Sequence, residues 1–137
     1  MACERPHPTH YPRNVRKALG WAAVPLAGAV FCGAVRLQRL EVVGDSMRPA
    51  FEPGDRLIAV RLGRIREGDV VAVPDPRDAT RLIVKRVASV SGPMLVLRGD
   101  NDAASTDSRS FGPVPRSSVA GRVLYRYSPP ERVSWWP

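Results

Sequence analysis

The sequence predicts a mainly β domain preceded by one apolar helix, and three observations carry that reading. From residue 37 onward, short runs rich in Val, Leu and Ile recur at intervals of about ten residues. The turn signals PGD, EGD, PDP, SGP and RGDN fall between those runs. Ahead of them, residues 18–35 form a stretch of 18 with no charged side chain. The expected organisation is a flexible basic tail (1–17), a candidate transmembrane or anchor helix (18–36), a β domain (37–127) and a C-terminal extension (128–137).

The tail carries Arg5, Arg13, Arg16 and Lys17 against Glu4. It also holds Cys3, His7 and His10, but no packed frame that would hold them as metal ligands. At helical rise the apolar run is roughly 27 Å long, close to the hydrocarbon thickness of a bilayer. Arg16 and Lys17 bound it on one side and Arg36 and Arg39 on the other, with Trp21 near one end. A single-pass anchor in the cell membrane is the favoured reading. A cleaved signal peptide and a buried helix of a soluble domain are its rivals. The flanking charge is nearly balanced and leans weakly toward an outside position for the main domain.

The expected strands cover residues 37–43, 56–61, 69–73, 82–90, 94–98 and 119–127. Trp135 and Trp136 of the extension are placed either on the domain or at a membrane surface.

The net charge of +8 raises the question of nucleic acid, yet the Arg residues are dispersed among acids and lack interleaved aromatics. We expect no nucleic-acid partner. Of the 21 basic residues only Lys17 and Lys85 are Lys. Where only charge is needed this chain uses Arg, so the one Lys of the β domain marks a position that needs a removable proton. The β domain contains neither His nor Cys. That excludes a Ser-His-Asp triad, a Cys-His pair and a His-ligated zinc there.

Three segments carry candidate chemistry. In GDSMRPAFEPGD (44–55), Ser46 lies between Asp45 and Met47 in a tight turn stiffened by Pro49 and Pro53. It is either a nucleophile held out from a rigid sheet or a turn cap. In RLIVKRVASV (81–90), strand alternation places Lys85 on one face with Ile83 and Val87, and Arg86 on the other with Leu82 and Val84. Burial among those neighbours disfavours the ammonium form and equips Lys85 to act as a base. The alternative is an amine snorkelling to water. In RGDNDAASTDSRSFG (98–112), Asp100, Asn101, Ser105, Asp107, Ser108 and Arg109 are dense enough to brace a base, or to form an ordinary Asx-rich turn.

Together these segments resemble the signal peptidase I family of serine proteases, over about residues 42–125. The resemblance implies a small β barrel or sandwich with Ser46 as attacking serine, in GDSMRP, and Lys85 as general base, in VKRV. It places Gly44, Asp45, Met47, Arg86 and Ser105 in supporting or oxyanion positions, with Ser105 hydrogen-bonded to the base. Gly99, Asp100, Asn101, Asp107, Ser108 and Arg109 become structural residues near the site, Asp107 and Arg109 as an ion pair. Gly44 stands where some members have a second serine, and Asp102 where the motif commonly has an arginine. Only 13 residues separate Lys85 from Gly99. This compact form resembles the small members that mature nickel-type superoxide dismutase. The implied reaction is removal of an N-terminal leader from a precursor protein, at a membrane, without metal or organic cofactor. Two other readings stay open: a general signal peptidase for exported precursors, and a non-catalytic, basic, membrane-tethered β domain.

Overall fold

The computed structural model describes residues 36–61 and 63–136. The expected tail, the apolar helix and Cys3, His7 and His10 lie outside the described residues. Among the described residues no helix is long and apolar enough to cross a membrane.

Eight strands follow in chain order: β1 (Leu37–Glu41), β2 (Arg56–Val60), β3 (Val70–Asp75), β4 (Asp78–Ser91), β5 (Met94–Arg98), β6 (Val114–Pro115), β7 (Gly121–Ser128) and β8 (Ser134–Trp135). A one-turn helix, α1 (Ser108–Phe111), precedes β6. The strands form a single antiparallel sheet in the order β1-β2-β7-β3-β4-β5-β6, with β8 also pairing β7.

The expected barrel or two-sheet sandwich is therefore corrected to one open sheet. Its path ends at β1, paired only with β2, and at β6, whose two residues pair with Met94 and Leu95. The sheet has a core on each side. Leu57, Ala59, Val70 and Val123 join Met47 and Phe51 in one cluster, while Val71, Val73, Val87, Leu95 and Leu97 form the other. β3 lies between them, so its run VVAV is buried on both faces and shows no polar alternation. Fully burying a Val, Leu, Met or Phe side chain stabilises by about 1.5–3 kcal/mol, so both clusters hold the sheet.

Several elements differ from the sequence reading: β6 is not among the expected strands, β1 ends at Glu41, and β7 begins at Gly121. β3 and β4 run past the expected ends, because they keep pairing up to a tight hairpin turn at Pro76 and Arg77. Asp75 closes that turn by accepting hydrogen bonds from the backbone N–H of Arg77 at 3.0 Å and from its guanidinium at 2.9 and 2.7 Å. The extension supplies β8: Ser134 and Trp135 pair with Arg126 and Tyr125. Trp136 packs on Phe51 with ring centroids 4.5 Å apart, while Trp135 stacks on Tyr125 and stays 77% exposed.

Candidate active site

The turn after β1 is built around two buried anchors. Met47 and Phe51 fill the first core cluster, and the Phe51 N–H donates to the Met47 carbonyl at 2.9 Å. Gly44 has φ of 85°, a left-handed conformation that a side chain would strain, and it turns the chain out of β1. Ser46 is left half-buried between these fixed points. Its carbonyl oxygen accepts the N–H of Asn101 at 3.0 Å, which ties this turn to the loop after β5. That tie needs Gly99: a Cβ there would come within 2.5 Å of the Ser46 carbonyl oxygen and would overlap the Ser105 hydroxyl.

Lys85 lies in the middle of β4, paired with Val71, and is only 3% exposed. Burial pushes its amine below the ordinary lysine value. The carboxylate of Asp107 works in the opposite direction, and the nearby Arg77 guanidinium adds to the lowering. Lys85 Nζ donates to Ser105 Oγ at 3.0 Å, and Ser105 Oγ donates in turn to Asp107 Oδ2 at 2.9 Å.

Asp107 is fully buried and its carboxylate accepts five hydrogen bonds. They come from Ser105 Oγ, the N–H groups of Gly99 and Arg109, and the Arg109 Nε and Nη2. The Arg109 guanidinium is the main reason its carboxyl stays well below the usual range, against the opposing cost of burial. The same carboxylate caps α1 through the Arg109 N–H. Ser108 contributes to the frame differently, by accepting the Leu97 N–H at 2.9 Å.

Ser46 and Lys85 line one polar cavity of about 160 Å³, together with Val43, Gly44, Asp45, Arg77, Arg81, Ala104 and Thr106. Ser46 and Arg81 also line a larger cleft of about 430 Å³ between Glu41–Val43 and Arg81–Val84. A half-buried hydroxyl and a buried, low-pKa amine on one cavity form an arrangement suited to nucleophilic acyl transfer. Among the described residues no cluster of His, Cys, Asp and Glu is arranged to hold a metal.

Not every residue singled out in the sequence reaches this cavity. Arg86 points away from it, as alternation along β4 requires. Its guanidinium pairs with Asp100 at 2.8 and 2.6 Å, donates to the Gly68 carbonyl at 2.9 Å and lies over the Trp136 ring. The Arg86 side chain thus braces Asp100 behind the loop, and the Met47 side chain is a core anchor. Asp102 pairs with Arg109 at 3.1 Å and with Arg98 at 3.7 Å. Asp45 pairs with Arg48 at 2.9 Å on the rim. Arg77, Arg81 and Thr106 were not singled out in the sequence. Arg81 was legible from its even spacing to Lys85 on β4. Arg77 enters through the hairpin turn and left no periodic signal.

The family model described as signal peptidase, peptidase S26, matches residues 16–95 and again 92–128. The mitochondrial ATP-independent inner membrane protease subunit 1a of Arabidopsis thaliana is 38% identical, over 66% of this chain and 70% of its own length. The human mitochondrial inner membrane protease subunit 1 is 31% identical, over 63% of this chain and 66% of that protein. The mouse subunit 2 is 27% identical, over 82% and 78% respectively. The matched motifs, the buried lysine and the extent of these matches lead to one conclusion: the chain belongs to the signal peptidase family, peptidase S26, and is a serine-type peptidase.

Proposed function

We propose that the protein is a membrane-associated endopeptidase that removes an N-terminal leader from a precursor through a Ser46–Lys85 dyad. The observation that carries this reading is Lys85: a nearly sealed amine, depressed by burial, that opens on the same cavity as the Ser46 hydroxyl and is held by Ser105.

Neutral Lys85 takes the Ser46 proton as Oγ attacks the scissile carbonyl. The resulting ammonium is stabilised by Ser105 and, behind it, by the Asp107 carboxylate. It then protonates the leaving amine, and water attacks the Ser46 ester with Lys85 again as base. Gly44 offers no side chain, so the oxyanion rests on backbone N–H groups, including that of Ser46. The extended substrate occupies the cleft between Glu41–Val43 and Arg81–Val84, where strand edges supply backbone partners and Val43, Leu82 and Ile83 supply an apolar lining. The relatives named as inner membrane proteases favour action at a membrane surface.

The precursor we favour is that of nickel-type superoxide dismutase, on the strength of the compact spacing between Lys85 and the Gly99 loop. An exported precursor with a signal peptide is the competing substrate, favoured by the family match. Incubating each precursor with wild type, Ser46→Ala and Lys85→Ala tests both layers. Cleavage by wild type alone, with all three proteins folded, supports the dyad, and the precursor that is cut decides the substrate. Equal cleavage by all three removes the dyad.

A further inference from the structure

A second cavity, of about 180 Å³, opens where the end of β2 and the loop after it meet the start of β7. None of its lining residues lines the cavity that holds Ser46 and Lys85. Its walls carry three guanidinium groups, from Arg61, Arg116 and Arg122, with Gly63, Val119 and Gly121 as small or apolar filler. Gly121 is fixed there because a Cβ would meet Ala59 Cβ at 3.1 Å and the Val60 nitrogen at 3.2 Å.

The charges in this cavity are poorly answered. Arg122 has one acidic neighbour, Asp69, at 3.6 Å, and Arg116 Nη2 has only the Ile65 carbonyl, at 3.4 Å. Among the described residues Arg61 and Arg116 have no carboxylate partner. The Nε atoms of both Arg116 and Arg122 are buried and have no acceptor among the described residues. Elsewhere in this molecule guanidinium groups inside the fold are met by close oxygens: Arg86 by Asp100 at 2.6 Å, Arg126 by Asp55 at 3.2 Å. A buried donor without an acceptor is costly, and an Arg fork matches the geometry of a tetrahedral oxyanion. Next to this cavity lies another basic hollow that shares Ile65 and Arg116 and adds Arg64 and Arg66, with Glu67 as its acid.

We propose that the pocket between β2 and β7 binds a phosphate group through the guanidinium groups of Arg61, Arg116 and Arg122. The phosphate comes either from an anionic phospholipid headgroup or from a soluble phosphate, and both present the same oxygens. The lipid source would hold this face of the domain against a negatively charged bilayer.

The test uses the full chain. Inorganic phosphate is titrated calorimetrically at constant ionic strength into wild type, Arg116→Gln/Arg122→Gln, Arg116→Lys and Arg39→Gln, the last removing an exposed charge away from the pocket. In parallel, cosedimentation is measured with phosphatidylcholine vesicles with and without phosphatidylglycerol. Circular dichroism melts report folding, and Arg116→Lys keeps the charge while removing the fork. The expected result is a tenfold or greater weakening of phosphate binding in the double variant, a smaller loss in Arg116→Lys, and no change in Arg39→Gln. A parallel loss of binding to phosphatidylglycerol vesicles identifies the lipid source, and unchanged vesicle binding identifies the soluble one. Absence of phosphate binding by wild type, or equal weakening in Arg39→Gln and the double variant, overturns the proposal.

Discussion

Replacing Asp107 with Asn separates the two roles that its carboxylate plays. In the structure Oδ1 accepts two hydrogen bonds from Arg109, while Oδ2 accepts from Gly99 N–H, Ser105 Oγ and Arg109 Nη2. An amide retains one oxygen. If that oxygen stays with the Arg109 N–H and Nε, the new NH₂ faces Gly99 N–H and Ser105 Oγ. The Gly99 donor is then buried without an acceptor, at a cost of about 1–3 kcal/mol. The pair with the partly exposed Arg109 also loses its charge. A loss of about 1–3 kcal/mol lowers the melting temperature of a domain of this size by about 5–20 °C.

The second consequence is catalytic. Ser105 satisfies the new NH₂ by turning its own proton toward Lys85 Nζ, where it competes for the lone pair that must take the Ser46 proton. The plateau rate falls by about 10²-fold, the scale of a small misplacement in a reacting pair. The Asp107 charge favours the ammonium form of Lys85. Its removal lowers the Lys85 pKa further and moves the acid limb of kcat/KM to lower pH. Cleavage of a fluorogenic leader peptide across a pH series reads both effects. An acid limb moving upward, or a variant that melts like wild type, refutes the reasoning.

Three further outcomes follow from the same structure. Lys85→Met is inactive yet at least as stable as wild type at neutral pH by thermal melting. A buried base whose folded pKa is lowered is fully compatible with folding only above its unfolded value of about 10.4, and it costs stability as pH falls toward the folded value. Asp75, lowered to about 2 chiefly by the Arg77 hydrogen bond, contributes stability that is present above pH ~4 and lost as pH falls toward that value. Asp75→Asn should flatten this part of the acid-unfolding curve measured by circular dichroism. Trp136→Ala removes the ring packed on Phe51 and beneath Arg86 and costs about 2–4 kcal/mol in urea unfolding.

The sequence showed most of the site because its chemistry needs scarce residue types. A single lysine in the β domain, placed by alternation beside Ile83 and Val87, points to a buried base, and the structure shows it buried. The same period separates Lys85 from Arg86, whose guanidinium reaches Asp100 on the other face. Asn101 was singled out, but its contact with the Ser46 carbonyl runs through the backbone, and no side-chain pattern encodes it. The open sheet was not legible either. Strand lengths and turns are local, whereas closure depends on whether β1 and the two-residue β6 meet. β8 was hidden because SPPERVSWWP has Pro and Glu where a strand pattern would alternate. Its pairing is decided by Trp136 finding Phe51, a contact across 85 positions of sequence.

Chemical rescue probes the role of Lys85 as a neutral base toward Ser46. In a chain with Cys3 and Cys32 replaced, Lys85→Cys is alkylated with bromoethylamine to give a lysine analogue whose amine is less basic. No cleavage is expected before alkylation. After it, activity returns with an acid limb shifted to lower pH and disappears again when Ser46→Ala is added. Wild-type cleavage by unmodified Lys85→Cys, or rescued activity whose pH limb does not move, would contradict that role.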